Sequence, residues 1–163
     1  GRVGQADHLF LPVRSSEEQV NELLKNRDGL MLGVCNGFQA LIKLGWYLWR
    51  DCGHRRDLSH PDFNTIGRHQ SRLVRTGLLQ PVALADEDPA GEIYTVPISH
   101  GEGRFLASEE LVRQLAERGQ IATQYVDLAG NPTSDIHYNP NNSVWAIEGI
   151  TSPTVVCSAR WAQ

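Results

Sequence analysis

The chain has 163 residues, a formal net charge of −4 and three cysteines. This length suits one domain with a substantial core, and the charge gives no reason to expect nucleic acid or an acidic membrane as a partner. No apolar run approaches the ~20 residues of a membrane span, and we expect no signal peptide. Since Cys35, Cys52 and Cys157 show no disulfide spacing, we expect a reduced, cytoplasmic protein.

Helix and strand patterns alternate along the first part of the chain. A capping box that begins at Ser15 predicts a helix ending near Asn26. An apolar strand follows over residues 30–34, and a second amphipathic helix starts after Cys35 and stops at Gly45. This order is typical of an α/β protein, so we expect a mostly parallel central sheet with helices on its faces.

The second half of the chain continues with strands and one further helix. A strand is predicted through Leu73 and Val74, and another over residues 93–99. Ser108 caps a helix that is closed by Gly119. The last two predicted strands cover residues 121–126 and 144–147, with a turn at 130–132 between them.

The turn between the strand at 30–34 and the next helix has the features of a reactive-cysteine site. Cys35 lies at a helix N-terminus, where unpaired backbone N–H groups favour the thiolate. Gly33 and Gly37 leave room for the strained turn and close helix packing of a nucleophile elbow. The backbone N–H of Asn36 points to where an oxyanion develops. The alternative is a buried structural cysteine, which the two glycines and Gln39 disfavour.

Three other segments carry weaker signals. Cys52, His54 and His60 suggest zinc, but a structural zinc site uses four ligands in characteristic pairs, so we expect no metal. The arginines within residues 68–75 suggest either a phosphate site or a solvated strand face, and we favour the solvated face. The glycines of residues 99–105 permit close backbone approach to a ligand, although a simple turn also explains them.

Several motifs together resemble a known family. Gly33-Val-Cys35-Asn-Gly37-Phe-Gln39 is similar to the nucleophile motif of class I (triad) glutamine amidotransferases. Four further segments narrow the resemblance to the glutaminase domain of phosphoribosylformylglycinamidine synthase: Ser99–Phe105, Ala122–Tyr125, Asn139–Asn141 and Ala146–Ser152. Residues 63–70 are similar to the long, single-chain form of that purine-pathway enzyme. The likeness covers most of residues 15–45 and 63–153.

The resemblance implies a three-layer, flavodoxin-like fold and a thioester mechanism. Cys35 would attack the side-chain amide of glutamine, and the Asn36 N–H would supply half of the oxyanion hole. The positions that match the glutamine site are Gly37, Gln39, Ser99, His100 and Gly101. No cofactor is implied for this domain. ATP and Mg²⁺ belong to a synthetase region of the same polypeptide, absent here, where ammonia would convert formylglycinamide ribonucleotide to the amidine.

The sequence also departs from the family pattern. Family members carry an upstream Pro-Gly-Gly segment and, after the last strand, a Gly-His-Ser-Glu-Arg-like motif with the catalytic His and Glu. Neither is present in this sequence. Three stretches are atypical of the family: residues 1–14, 46–62 and 154–163. When suitable codons for these stretches are translated in another reading frame, the result is similar to the family sequence. We therefore raise the hypothesis that the translation contains frame errors.

We therefore expect a single, partial glutamine amidotransferase domain over residues 1–163 that hydrolyses glutamine poorly by itself. The main alternative is a catalytically inactive module of the same fold that serves only for binding or docking. A further alternative is a different α/β protein with a cysteine elbow, such as a stress-response protein, which the segment at 99–105 disfavours.

Overall fold

The computed structural model describes residues 17–27, 29–44, 64–79, 90–152 and 157–160. The chain divides into two compact units, residues 1–30 and 31–163.

The first unit contains helix α1, Glu17–Asn26, which ends where the sequence predicts. The Leu23 carbonyl, one of the last four of the helix, accepts a hydrogen bond from the Gly29 N–H at 2.9 Å. Ser15 of the predicted capping box lies outside the described residues.

Within its described residues, the second unit contains two α-helices and six strands. In chain order they are β1 Met31–Val34, α2 Asn36–Leu44, β2 Gln70–Leu78, β3 Ile93–His100, α3 Glu109–Glu117, β4 Ile121–Tyr125, β5 Ile147–Thr151 and β6 Cys157–Arg160. The predicted elements from β1 to β4 are confirmed. Ser108 caps α3 as expected, since its hydroxyl accepts from the Leu111 N–H at 3.2 Å. Gly45, the predicted end of α2, lies outside the described residues.

The strands form one sheet with the order β1-β6-β5-β4-β2-β3. The α/β class is confirmed, but the sheet is not mostly parallel as expected: within the described residues, β1 with β6 is parallel and the other four pairings are antiparallel. The position of β2 accounts for two of these four antiparallel pairings. Helix α3 connects β3 and β4, which run in the same direction, and β2 lies between them and pairs antiparallel with both.

Two clusters of buried apolar residues hold this unit together. The larger joins α2 and α3 to the sheet strands β4 and β5; its fully buried members include Phe38, Phe105, Val112, Leu115, Ile147 and Ile150. The smaller contains Val74, Ile98, Tyr125 and Ala146. Each helix buries one apolar stripe, as expected for an amphipathic helix: Phe38, Leu41 and Ile42 in α2, and Leu111, Val112 and Leu115 in α3.

The strand predicted at 144–147 begins only at Ile147. Residues 144–146 form a short 3₁₀ turn, with φ of 51° at Trp145 and 56° at Ala146. The Ala146 N–H donates to the Ser143 carbonyl at 3.1 Å. The sequence does not predict this turn, because left-handed backbone is rare for residues other than glycine and the apolar side chains of residues 144–147 suit a strand.

Candidate functional site

Cys35 occupies a strained turn between β1 and α2. Its φ is 52°, in the left-handed region that costs a residue with a Cβ of the order of 1–2 kcal/mol. Its thiol is free and half-buried, and its carbonyl accepts from the Gln39 N–H at 3.2 Å, which starts the helix. A strained residue between a strand and a helix is the geometry of a nucleophile elbow.

The two glycines around the cysteine differ in their surroundings. A Cβ at Gly33 would lie 2.5 Å from Leu41 Cδ1 and 2.8 Å from the Gly37 carbonyl atoms, whereas a Cβ at Gly37 would meet no atom within 4 Å. Gly33 therefore permits the close helix packing that was predicted for both residues. For Gly37 that prediction is wrong, because its missing side chain would point into open space.

Asn36 is the first residue of α2, and its side chain is exposed. The first N–H groups of a helix lack partners within the helix. The predicted role of the Asn36 N–H as an oxyanion donor is therefore compatible with its position and stays a prediction.

The carboxyl ends of β1 and β6 lie side by side. Val34 and Arg160 are register partners in this parallel pair. Because parallel strands end at the same edge of a sheet, β6 ends beside the turn that carries Cys35. No strand was predicted at 157–160, since this segment is short and was judged atypical.

The segment at 99–105 contacts the helix that follows Cys35. The Gln39 side chain donates through Nε2 to the Glu102 carbonyl at 3.2 Å. One residue earlier on α2, the ring of Phe38 stacks on that of Phe105, with centroids 6.1 Å apart and planes 15° apart. The structure thus brings together two predicted site segments that lie far apart in the sequence.

Ser99 and His100 have different surroundings. The Ser99 hydroxyl is exposed and lies 3.0 Å from His69 Nε2. The His100 ring is buried; an added Cβ on Gly103 would lie 2.0 Å from it, and Asn141 Nδ2 is 3.4 Å from its Nε2. Contact of either side chain with glutamine stays a prediction.

Burial lowers the pKa of His100 because desolvation disfavours the imidazolium, and the nearby His69 acts in the same direction. A hydrogen bond to the backbone of His100 and the carboxylate of Glu148 oppose this shift without reversing it. The neutral imidazole is therefore favoured at this position.

A buried polar network behind the 99–105 segment was not predicted from the sequence. Asn141 donates to the Tyr125 hydroxyl at 2.6 Å, and Thr123 donates to the fully buried carboxylate of Glu148. The sequence signal that could have indicated this network is the presence of polar residues within otherwise apolar strands, because a buried polar group requires hydrogen-bond partners.

Gly101 and Asn64 meet through the backbone. The Gly101 carbonyl accepts from the Asn64 N–H at 3.0 Å. Asn64 has an exposed fraction of 1%, and its part in holding the 99–105 segment was also not predicted.

The other candidate groups raised from the sequence were the arginines within residues 68–75 and a zinc site. Arg72 and Arg75 donate to separate backbone carbonyls, at His137 and Leu128. Among the described residues, no three His, Cys, Asp or Glu side chains are grouped to hold a metal ion. The suggested zinc ligands lie outside those residues. Within the same ranges, no helix has the length and apolar character needed to cross a membrane.

The comparisons with known proteins agree on one family. Residues 4–155 match the model of the CobB/CobQ-like glutamine amidotransferase domain. A relative from Methanococcus maripaludis, phosphoribosylformylglycinamidine synthase subunit PurQ, is 34% identical over 126 residues, which are 77% of this chain and 46% of the relative. A probable phosphoribosylformylglycinamidine synthase of Arabidopsis thaliana is 30% identical over 83% of this chain and 10% of its own length.

The fold is also that of a solved structure. The structure of PurLQS from Thermotoga maritima matches with a TM-score of 0.66 and 19% identity, over 93% of this chain and 58% of the matched chain. This chain spans about half the length of the PurQ relatives that it matches. On the strength of the family match, which extends over most of its residues, the chain belongs to the CobB/CobQ-like glutamine amidotransferase domain family.

Proposed function

We propose that this chain is all or part of a glutaminase domain of phosphoribosylformylglycinamidine synthase. The observation that carries the proposal is the elbow at Cys35, with its φ of 52°, joined to the 99–105 segment through the Gln39 to Glu102 hydrogen bond of 3.2 Å. A nucleophile at a helix N-terminus beside a glycine-rich loop suits a small amide substrate. The names of the relatives support glutamine as that substrate.

In the proposed reaction, the Cys35 thiolate attacks the side-chain amide carbon of glutamine. The carbonyl electrons move to oxygen, where the Asn36 N–H donates to the developing charge. Collapse of this intermediate expels the amide nitrogen, which takes up a proton and leaves as ammonia. Water then hydrolyses the γ-glutamyl thioester, which releases glutamate and regenerates the thiol.

In the parent enzyme, the ammonia would be used by a synthetase region with ATP and Mg²⁺. We propose a cytoplasmic protein whose partner is such a synthetase, and the resemblance at residues 63–70 favours one carried on the same polypeptide. The relatives include both a separate PurQ subunit and an Arabidopsis protein of which the match covers 10%.

This sequence lacks the histidine that the family pattern places after the last strand to deprotonate the cysteine. No histidine follows His137 in the sequence, and His100 belongs to the predicted substrate segment. We therefore expect glutamine binding by this chain with slow turnover. The same departure favours the second candidate function, a binding or docking module that keeps the glutaminase fold without turnover.

Alkylation of the three cysteines tests the proposal. The purified chain is treated with iodoacetamide with and without glutamine, and the modification rates of Cys35, Cys52 and Cys157 are measured by peptide mass spectrometry. We expect glutamine to slow the modification of Cys35 alone, and asparagine, which is one methylene shorter, to have no such effect. An unchanged Cys35 rate at saturating glutamine would overturn the proposal.

Ammonia release distinguishes the two candidate functions. Calorimetric binding of glutamine without ammonia release supports the binding module. Robust ammonia release that Cys35→Ala abolishes supports a complete glutaminase and contradicts the expectation of slow turnover.

A further inference from the structure

Asn64 is a buried side chain that the proposed reaction does not use. It lies at the start of the turn before β2 with an exposed fraction of 1%. A buried amide must satisfy both its donor and its acceptor groups, because leaving one unsatisfied costs about 1–3 kcal/mol.

The partners of Asn64 are concentrated on one short loop. Its backbone N–H donates to the Gly101 carbonyl at 3.0 Å. Its side-chain Nδ2 donates to the His100 carbonyl at 2.9 Å, and its Oδ1 accepts from the Gly103 N–H at 3.2 Å. Asn64 therefore binds this loop at three backbone positions, on both sides of Glu102.

The same side chain also fixes the turn from which it projects. Nδ2 donates to the Arg68 carbonyl at 3.2 Å, and the Asn64 carbonyl accepts from the Gly67 N–H at 2.7 Å. Gly67 has a φ of 66°, which glycine adopts without strain. Asn64 is thus held by its own turn and is not free to follow the loop.

The loop in turn contacts the helix that carries the elbow. Glu102, which lies between the positions that Asn64 holds, presents its carbonyl to Gln39 Nε2. A change in the path of residues 100–103 would move this carbonyl, together with His100 and Gly101 of the proposed glutamine site.

We propose that Asn64 is a positioning residue for the glutamine site, which sets the backbone path of residues 100–103 relative to the elbow helix. This inference rests on the proposed function. Asn64 acts through the loop and does not itself contact the substrate, so its loss affects glutamine binding more than the reactivity of Cys35 in the absence of ligand.

Asn64→Asp is the primary test variant. It keeps the shape and the acceptor but removes both Nδ2 donors, and it places a carboxylate against the carbonyls of His100 and Arg68. Asn139→Asp is the matched control. Asn139 is also fully buried, donates to the Ser143 carbonyl at 3.0 Å and accepts from the Ser143 N–H at 3.0 Å, so it makes a similar clamp in another loop.

Two measurements separate positioning from a general loss of stability. The first is the glutamine concentration that halves the rate of Cys35 alkylation. We expect it to rise at least tenfold in Asn64→Asp and less than twofold in Asn139→Asp, with the glutamine-free rate unchanged in both. The second is amide hydrogen exchange without ligand, in which the two N–H groups of the clamp, those of Gly103 and residue 64, lose protection in Asn64→Asp only. If Asn64→Asp does not fold, Asn64→Ser replaces it. Serine buries no carboxylate, and it still lacks the side-chain amide that forms the clamp.

Unchanged glutamine protection in the Asn64 variant, or an equal loss in the Asn139 control, would overturn the inference. A wild-type chain that glutamine does not protect would overturn the proposed function instead. In that case the exchange comparison still decides whether Asn64 holds the loop, and unchanged protection of the N–H groups of Gly103 and residue 64 would refute the clamp itself.

Discussion

The rings of Phe38 and Phe105 stack with their centroids 6.1 Å apart and their planes 15° apart, and both side chains are almost fully buried. Phe38 belongs to the helix after Cys35, and Phe105 ends the glycine-rich segment that starts at Ser99. Offset aromatic stacking contributes about 0.5–1.5 kcal/mol beyond the area that it buries. This contact, with the Gln39 hydrogen bond beside it, joins the two halves of the proposed site.

A double-mutant cycle tests this contact. We expect Phe38→Leu and Phe105→Leu each to reduce the free energy of unfolding, and the double variant to lose less than the sum by about 0.5–1.5 kcal/mol. Urea unfolding followed by circular dichroism measures all four proteins. Strict additivity would show that the rings do not interact energetically.

Alanine at the two elbow glycines should have opposite effects. Gly33→Ala places a Cβ 2.8 Å from the backbone of Gly37, and we expect a loss of about 1–3 kcal/mol of stability because that backbone cannot move aside easily. Gly37→Ala is the matched comparison: it meets no atom within 4 Å, and alanine favours the helix by about 0.5–1 kcal/mol. Equal effects in urea unfolding would contradict the difference in packing.

His100 should make stability depend on pH. Its pKa is lowered in the folded protein from the ordinary value of 6.5, mainly by burial. The unfolded state therefore binds a proton first as the pH falls. The free energy of unfolding therefore keeps its full value with respect to His100 above pH 6.5. It decreases as the pH falls below this value towards the lower pKa of the folded state.

Unfolding free energies at pH 7.5 and 5.5 check this expectation. We expect a smaller decrease over this interval in His100→Gln than in the wild type. If His100→Gln keeps the full decrease, another group is responsible for the pH dependence.

The cap of α3 can be measured separately from the site. Ser108→Ala removes the hydroxyl that accepts from the Leu111 N–H, and we expect a loss of about 1 kcal/mol. Ser134→Ala, at an exposed serine, is the control and should change stability by less than ~0.5 kcal/mol. Thermal unfolding of both variants decides whether the cap contributes as expected.

Local patterns in the sequence were sufficient for most of the elements, because the apolar periods of α2 and α3 are those that the core buries. They were not sufficient for strand direction. The placement of β2 between β3 and β4 depends on contacts between residues that are distant in the sequence, and no local pattern predicts it. The left-handed turn at Trp145 and Ala146 was missed for a related reason, since its residues carry none of the usual glycine or asparagine signals.

The candidate site shows the same division. Cys35 and its turn are local in sequence, and the strained φ there agrees with the predicted elbow. The clamp by Asn64 and the buried Glu148 depend on contacts between distant strands. Residue type alone does not predict such contacts, because asparagine and glutamate are usually exposed.

The parallel pair of β1 and β6 also has a consequence for the synthesis of the protein. Met31 pairs with Cys157 and Val34 with Arg160, so the strand that leads into the elbow receives its neighbour from nearly the far end of the sequence. Proteins are made from the N-terminus, and contacts so distant in sequence form late in folding. A nascent chain therefore carries Cys35 long before the sheet beside it can close, and the strand next to the elbow is in place only after the residues of β6 have left the ribosome.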